Sequence, residues 1–353
     1  MKIKIGFFMA NLIAGGAERV TVNIIKQLDK AHFDISLIMV SEEGIFLEEI
    51  PSHVKIINLN VKKTLFSIFK FRKVIQEIQP NIIYSTMTHT SIAQYLALLF
   101  IKNKPSIILR NPTSPKLLNQ EGGHTITWSF LLNKAYQASD KVLAQTPEMK
   151  KELIQYYHLS SQKVDIFINP LDEIGIKEKI KNISNPFKKD HINIVAAGRL
   201  THAKAFDILL EAFRLVVDEN NKFILNIIGR DDGEKKSLLN LRKKLNLEKN
   251  VNFLGFQANP YRFFYFSDLF VLSSRREGLP NAVLENLYLK KPIVATQCIP
   301  YLSTLITHGK NGYITPTESP ESLASAILNF ESLTEEGFTK KHQPTNPNIY
   351  FKK

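Results

Sequence analysis

Short strand-like runs alternate with segments of helical length along almost the whole chain, and this alternation constrains the fold more than any other feature. In the first half, apolar runs lie at residues 2–9, 33–40, 81–86, 106–110 and 141–146. Strands joined by helical crossovers pair in parallel, and their helices cover both faces of the sheet. The pattern therefore predicts an α/β protein built on parallel sheets.

The same rhythm starts again at His191, after an interruption at residues 173–190 that is rich in Lys and lacks an apolar period. We interpret the interruption as a linker between two α/β domains, residues 1–172 and 191–333. A length of 353 residues suits two domains. Residues 334–353 are polar, contain Asn-Pro, and predict a loose tail.

The charge and cysteine content of the chain indicate its partners and its cellular compartment. With 46 Lys and Arg against 33 Asp and Glu, the net charge is +13, which favours anionic partners such as phosphates or a lipid surface. No known nucleic-acid-binding motif is present, so we expect no nucleic-acid partner. The single Cys298 cannot form an internal disulfide, which is typical of a reducing compartment. We expect a cytoplasmic protein.

The opening segment has two interpretations. Its basic start and apolar run are similar to a weak signal peptide, but Asn11 interrupts the run and Glu18-Arg19 follow it. A strand, a glycine turn at Gly15-Gly16 and a helix explain more of these residues. Such a turn lets anionic oxygens approach the backbone N–H groups, although a simple tight turn is the alternative. The G-x-G-x-x-G fingerprint of dinucleotide enzymes does not follow any strand.

Two cations stand where the second domain begins. Arg199 follows the first strand of that domain, and Lys204 lies near the start of the next helix. Cations beside a helix N-terminus can hold a diphosphate and neutralise its charge as it leaves. The alternative is a pair of solvated surface cations.

Two carboxylates are separated by seven residues in the segment Glu277-Gly278-Leu279-Pro280 to Glu285. Pro280 suits the first turn of a helix, so Glu277 lies in a loop after a strand and Glu285 lies in the helix. Carboxylates accept paired hydrogen bonds from sugar hydroxyls. Alternatively, Glu277 only favours the helix N-terminus, and Glu285 is solvated.

Together these segments resemble glycosyltransferase family 4. The matching pieces, in order along residues 1–330, are Gly15–Arg19, Ile168–Pro170, Gly198–Leu200 with Lys204, Glu277 to Glu285, and His308–Tyr313. The resemblance implies the GT-B fold, in which two Rossmann-like domains face each other across a cleft. It also implies a retaining reaction without a metal or cofactor, on a nucleotide sugar that we expect to be UDP-linked.

The resemblance assigns roles to the motif residues. Arg199 and Lys204 would bind the donor diphosphate, Glu277 the sugar and Glu285 the ribose, and the first domain would hold the acceptor. The expected catalytic residues are Glu277, Arg199 and Lys204. The expected donor-binding residues are Gly15, Gly16, Arg199, Lys204, Glu277, Gly278, Leu279 and Glu285. On the acceptor side, His89 and Arg110 follow strand ends.

The chain departs from the family pattern in two places. Ala205 stands where many relatives have Gly, and residues 297–304 contain neither the Gly nor the Glu that relatives carry there. The second change leaves open a non-catalytic subunit that binds a partner or a sugar nucleotide. A nucleotide-sugar epimerase is a further alternative. We expect transfer of a hexose or N-acetylhexosamine to a lipid-linked or lipopolysaccharide-type cell-envelope glycan.

One segment suggests contact with a membrane. Residues 50–76 contain six Lys or Arg and no acid, with Leu65, Phe66 and Phe69 among them. Such a stretch favours the surface of an anionic bilayer, or it is a helix that packs its Phe inward and solvates its Lys. We expect peripheral contact through residues 61–75, at the inner face of the cytoplasmic membrane.

Overall fold

The computed structural model describes residues 1–13, 15–115, 126–333 and 343–352. The chain forms two compact units. The first contains Met1–Asp172 and Pro344–Lys353, and the second contains Glu173–Gln343.

The first unit is built on a seven-stranded sheet in the order β3-β2-β1-β4-β5-β6-β7, and every pairing is parallel. Its strands are Ile3–Met9 (β1), Phe33–Met39 (β2), Lys55–Asn58 (β3), Ile82–Thr86 (β4), Ser106–Arg110 (β5), Lys141–Ala144 (β6) and Val164–Ile166 (β7). The strands read as continuous apolar runs because helices bury both faces of the sheet. Phe8 packs into the core on one face, while Phe7 and Met9 pack into the core on the other.

Helices connect these strands. They are Gly16–Gln27 (α1), Ile68–Ile78 (α2), Thr88–Leu98 (α3), Ile126–Ala138 (α4) and Pro147–Tyr157 (α5). A separate 3-10 turn, Thr64–Ser67, comes directly before α2.

The second unit repeats this plan with six parallel strands in the order β10-β9-β8-β11-β12-β13. The strands are Ile192–Ala197 (β8), Phe223–Ile228 (β9), Val251–Gly255 (β10), Leu269–Leu272 (β11), Ile293–Thr296 (β12) and Gly312–Thr315 (β13). Its helices are Glu173–Lys179 (α6), Phe206–Glu219 (α7), Lys235–Lys244 (α8), Tyr261–Phe266 (α9), Asn281–Tyr288 (α10), Leu302–Leu305 (α11) and Pro320–Leu328 (α12). Both units are therefore Rossmann-like, as the sequence predicted.

The strand order of each sheet reverses at one point. In the first sheet β1 pairs with both β2 and β4, and in the second β8 pairs with both β9 and β11. In open parallel sheets, ligands bind outside the carboxyl ends of the strands at this reversal. The loops after β1, β4, β8 and β11 are therefore the places to look for a site.

The ends of the predicted domains differ from our expectation. Residues 173–190, which we interpreted as a linker, lie in the second unit and include helix α6. Residues 344–353, which we expected to be part of a loose tail, belong to the first unit and carry a short helix, Pro347–Tyr350 (α13). The remainder of that predicted tail lies largely outside the described residues.

Aromatic packing explains why the end of the chain is held in place. The Phe351 ring is 2% exposed and lies between 5.5 and 6.3 Å, centroid to centroid, from the rings of Phe7, Tyr84, Phe167 and Tyr350. The side-chain amide of Asn348 also donates to Gln27 O, at 2.7 Å. By composition this segment is polar, because only one aromatic pair, Tyr350 and Phe351, makes these buried contacts.

In the described part of the chain, no helix combines the length and apolarity that spanning a membrane requires.

Replacing Phe351 by Ala is expected to destabilise the first unit by about 3 kcal/mol, because a buried aromatic ring is lost and a cavity remains. Ile349→Ala is the matched control on the same helix, since Ile349 is 62% exposed and such a change costs less than about 0.5 kcal/mol. Urea unfolding followed by circular dichroism measures both. Equal stability of the two variants would contradict the packing of the last ten residues.

Candidate functional site

An ion pair between Lys204 and Glu277 lies at the carboxyl ends of the second unit's strands. Lys204 Nζ is 2.5 Å from Glu277 Oε1, and the two side chains are 23% and 13% exposed. The structure thus brings together two of the predicted catalytic residues, which are 73 positions apart in the sequence.

Gly198 shapes the path of the lysine side chain. It follows β8, and the 3-10 turn His202–Lys204 comes after it. A Cβ added at Gly198 would lie 2.9 Å from Lys204 Cε and 3.0 Å from its Cδ. The missing side chain at Gly198 therefore lets the lysine stem lie close to the end of β8.

Hydroxyl groups at the ends of β11 and β12 hold the Lys204–Glu277 ion pair in place. Ser274 Oγ donates to Glu277 Oε1 at 2.7 Å, and Ser273 Oγ donates to Lys204 O at 2.9 Å. Thr296, which ends β12, donates its hydroxyl to Ser274 O at 2.5 Å. We did not predict a role for these residues from the sequence, although a Ser-Ser pair directly after a buried strand is a usable signal.

Arg199 lies on the same edge of the sheet but is not part of this pair. Its Nη1 is 2.9 Å from Asp232 Oδ2, with the two side chains 54% and 40% exposed. Exposed pairs of this kind contribute about 0–1 kcal/mol. The guanidinium can therefore exchange this partner for a ligand at little cost.

Arg275 fixes the loop that carries Glu277. Its guanidinium binds both carboxylate oxygens of Asp207, at 2.9 and 2.7 Å, and its Nε donates to Glu318 Oε1 at 2.6 Å. Burial raises the pKa of Asp207, but the hydrogen bonds and charge of Arg275 outweigh this effect and hold that pKa below its ordinary value. The backbone N–H of Arg275 also donates to Ala203 O, at 2.9 Å. Arg275 thus joins the Glu277 loop to the Lys204 turn, a role that the sequence did not reveal.

The other predicted donor residues lie nearby in the chain. Gly278 and Leu279 lie in the loop between β11 and α10, and Leu279 is 6% exposed. Glu285 is the fifth residue of α10, is 8% exposed, and accepts a 3.2 Å hydrogen bond from Tyr261 Oη. Glu285 is therefore not the solvated helix residue of the alternative interpretation.

The altered loop at residues 297–304 contains Cys298, whose thiol is influenced by the charges of the ion pair. Burial and, to a smaller extent, the charge of Glu277 raise the pKa of the Cys298 thiol, whereas Lys204 lowers it. Cys298 is partly buried and belongs to the segment that lacks the Gly and the Glu of the family pattern. The departure from that pattern therefore includes a thiol whose pKa depends on the charges of Glu277 and Lys204.

In the first unit, Gly15 and Gly16 stand at the start of α1. Gly15 is the N-terminal cap, with an extended backbone. A Cβ at Gly15 would lie 2.1 Å from a carboxylate oxygen of Glu18, so a larger residue here would displace the end of the Glu18 side chain. The sequence predicted the helix, and its N-terminus lies after β1 at the reversal of strand order.

The two acceptor-side candidates follow neighbouring strands of the first unit. His89 lies in the first turn of α3, and its partial burial lowers the pKa of the imidazole below the ordinary value, which favours the neutral ring. Arg110 ends β5 and is 2% exposed. Within the described ranges, no group of three or more His, Cys, Asp or Glu side chains is arranged to hold a metal ion.

Ala205 occupies a backbone conformation that favours glycine. Its φ is 50° and its ψ is 43°, in the left-handed region, and the residue is 1% exposed. A residue with a Cβ pays about 1–2 kcal/mol for this conformation. The chain therefore forms this turn with alanine, at a cost in stability.

We expect Ala205→Gly to raise the stability of the second unit by up to about 1 kcal/mol, since the relief of strain exceeds the added entropy of the unfolded chain. Thermal melting should show a rise of about 1–4 °C. Ala203→Gly, two residues earlier and outside the left-handed region, is the control and should not stabilise. A lower melting temperature for Ala205→Gly would contradict this account.

Comparisons with known proteins agree with this architecture. A family model described as Glycosyltransferase Family 4 matches residues 14–173, and one described as Glycosyl transferases group 1 matches residues 177–343. An uncharacterised glycosyltransferase of Haemophilus influenzae is 29% identical over 92% of this chain and 89% of its own length.

A second relative has a detailed name. The 4-alpha-N-acetylgalactosaminyltransferase of Campylobacter jejuni that acts on N-acetylgalactosamine-N,N'-diacetylbacillosaminyl-diphospho-undecaprenol is 28% identical over 83% of this chain and 80% of its own length. The crystal structure of HepE from Anabaena with UDP covers 99% of this chain and 94% of its own, with a TM-score of 0.75 and 19% identity. Both halves of the chain match the models and the fold matches the solved structure, and the chain therefore belongs to the family 4 glycosyltransferases, with the GT-B fold.

Proposed function

We propose that this glycosyltransferase moves a hexose or N-acetylhexosamine from a UDP-linked sugar to a lipid-linked or lipopolysaccharide-type glycan of the cell envelope, with retention and without a metal. The observation that carries the proposal is the Lys204–Glu277 pair at the strand ends. A cation and a carboxylate held together there supply both functions that the donor requires, a charge for its diphosphate and an acceptor for its sugar hydroxyls.

The chemistry assigned to the pair is leaving-group stabilisation. The bond between the anomeric carbon and the diphosphate breaks, a bond to the acceptor oxygen forms, and the acceptor hydroxyl loses its proton. Negative charge then builds on the diphosphate, where Lys204 and Arg199 reduce its energy. Helix α7 begins two residues after Lys204, and its N-terminus adds positive potential.

The two cations neutralise the charge on the leaving diphosphate, as a divalent ion does in other transferases. We therefore propose a metal-independent reaction. Glu277 contacts the hydroxyls of the donor sugar, and Glu285 contacts the ribose. Arg275 acts indirectly, because it holds the loop of Glu277 in place.

The donor and acceptor classes have support from relatives. HepE was solved with UDP and with UDP-glucose. The Campylobacter relative acts, by its name, on a diphospho-undecaprenol-linked glycan and transfers an alpha-linked N-acetylgalactosaminyl group. Relatives in capsule and O-antigen synthesis also favour a cell-envelope glycan.

A non-catalytic role is the second candidate, and the loop at residues 297–304, which lacks the Gly and the Glu of the family pattern, is the observation that favours it. The fully formed ion pair and the buried Glu285 are the evidence against it. A transfer assay separates the two.

Acceptor-dependent release of UDP in EDTA is expected for the unmodified chain, and Glu277→Gln and Lys204→Met are each expected to lower kcat/KM about 100-fold or more. Glu277→Gln removes the charge and keeps the shape, whereas Lys204→Met keeps only the stem. Arg214→Met is the matched control, since Arg214 pairs with Asp218 on the outer surface of α7 in the same unit.

Each failure has a separate meaning. Unchanged turnover in both site variants would contradict the site assignment. Activity that appears only when Mg²⁺ replaces EDTA would contradict metal independence, and no activity with any nucleotide sugar would favour the non-catalytic role.

A patch of exposed aromatic rings supports the membrane contact that we propose. Phe66, Phe69 and Phe100 are 69%, 79% and 82% exposed, and we call them the aromatic patch. Arg72 on α2 lies 5.8 Å from the Phe100 ring centroid, which joins α2 to the end of α3. Exposed lysines are close to the patch in sequence: Lys62, Lys63, Lys73, Lys102 and Lys104.

The alternative interpretation of residues 61–75, a helix that packs its Phe side chains inward, holds for only one of the rings. Phe71 is fully buried and stacks on Phe8 at 4.1 Å, whereas the aromatic patch faces outward. Exposed rings among lysines suit the interfacial zone of an anionic bilayer.

Phe66→Ser/Phe69→Ser is expected to weaken sedimentation with phosphatidylglycerol vesicles at least tenfold, because burial of each ring in the interface contributes about 1.5 kcal/mol or more. Phe130→Ser, which changes a ring that is 58% exposed on α4, is the control. Binding should also fall as salt rises. Failure of the unmodified chain to sediment at low salt would contradict the membrane contact.

A further inference from the structure

Arg110 is a buried cation with unused hydrogen-bond donors. It ends β5 in the first unit and is 2% exposed. Its Nη2 donates to Asn169 Oδ1 at 2.6 Å, while Nε and Nη1 are buried and have no hydrogen-bond partner. Two of its three nitrogens therefore lack an acceptor.

Two hydroxyl groups on β4, the strand that pairs with β5, also lack hydrogen-bond partners. In the register of β4 and β5, Thr86 pairs with Arg110 and Tyr84 pairs with Ile108, so Tyr84, Thr86 and Arg110 lie on one face of the sheet. Thr86 Oγ1 and Tyr84 Oη are also buried without a hydrogen-bond partner. Arg110 and Tyr84 are close enough to influence each other's pKa. Four polar atoms able to donate therefore lie unpaired at the carboxyl ends of two adjacent strands.

The surroundings of Arg110 are polar but uncharged. Asn169 Nδ2 donates to Gln145 Oε1 at 3.2 Å, and Gln145 Nε2 donates to Asn111 O at 3.0 Å. No Asp or Glu of the described segments forms an ion pair with Arg110. Burial lowers the pKa of the guanidinium, and the nearby Tyr84 hydroxyl acts against this shift without cancelling it.

Such an arrangement is unfavourable until an acceptor completes it. A buried charge without a counter-ion is destabilising, and a well-packed apolar side chain in its place is often more stable. Each unpaired buried donor adds to that cost. An anionic oxygen would accept hydrogen bonds from the guanidinium and the hydroxyls together, and Thr86 and Arg110 are the last residues of β4 and β5 at this edge of the sheet.

We propose that Arg110, Thr86 and Tyr84 form an oxyanion subsite that takes a phosphate oxygen of the diphosphate linking the acceptor glycan to its lipid carrier. The choice of the acceptor rests on the function proposed above. The donor diphosphate has its own cations, Arg199 and Lys204, in the second unit, whereas this subsite lies wholly in the first unit.

Melting in inorganic pyrophosphate tests the subsite without any transfer reaction. The Arg199→Ala/Lys204→Ala chain serves as the background, so that the donor site does not contribute. Pyrophosphate in EDTA should raise its melting temperature by about 2 °C or more over chloride of equal ionic strength. Adding Arg110→Met should abolish the rise, and adding Thr86→Val should reduce it.

Arg72→Met is the matched control in the same unit, since Arg72 already donates to Ala97 O at 2.8 Å, and it should keep the rise. Without pyrophosphate, Arg110→Met should melt no lower than its background, because an uncompensated charge has been removed. If that variant fails to fold, Thr86→Val alone decides. No rise in the background, or an equal rise after Arg110→Met or Thr86→Val, would overturn the subsite.

The source of the phosphate is tested with farnesyl diphosphate and UDP on the chain with an intact donor site. Loss of the farnesyl diphosphate shift in Arg110→Met, with an unchanged UDP shift, supports the acceptor. Loss of the UDP shift instead would overturn the assignment to the acceptor. A pyrophosphate shift in a chain that transfers no sugar would leave the subsite intact and contradict only the proposed function.

Discussion

The ion pair of Lys204 and Glu277 is the contact on which the second unit's site depends. It requires Gly198 under the lysine stem, serines at the end of β11 and a threonine at the end of β12. Parallel pairing of β8, β11 and β12 brings those ends together. The fold therefore sets the distance between two charged groups that no local segment could position.

The arginine side chains Arg275 and Arg110, one in each unit, have different electrostatic surroundings. In the second unit, Arg275 has two carboxylates around it, so the loop of Glu277 is held by compensated charge. In the first unit, Arg110 pairs with no carboxylate, donates one hydrogen bond to the Asn169 amide and leaves Nε and Nη1 without a partner. Compensated charge suits a supporting role, whereas uncompensated charge suits a place for a ligand.

The sequence was enough to predict the α/β class, the repeat of the pattern in two halves and the family, because strands, helix starts and motifs are local features. It also predicted Glu285 in a helix and Glu277 in the loop before it. It could not reveal how Arg275 reaches Asp207 and Glu318, 68 and 43 positions away, because such contacts depend on the order of strands in the sheet.

The prediction for the C-terminal segment differed from the structure for the same reason. Residues 344–353 are polar on average, yet Phe351 fills a gap among rings from three distant segments. Likewise, the periodicity of residues 61–75 could not tell which rings turn inward, since Phe71 finds Phe8 as a partner whereas Phe66 and Phe69 remain exposed.

Our proposal for the second unit is that Lys204 and Arg199 bind the diphosphate of a nucleotide sugar. Isothermal titration of UDP in EDTA into the unmodified chain, the Arg199→Ala/Lys204→Ala variant and the Arg214→Met control tests it directly. The account predicts binding to the unmodified chain and the control, and at least tenfold weaker binding to the double variant. Equal affinity for all three proteins would contradict it.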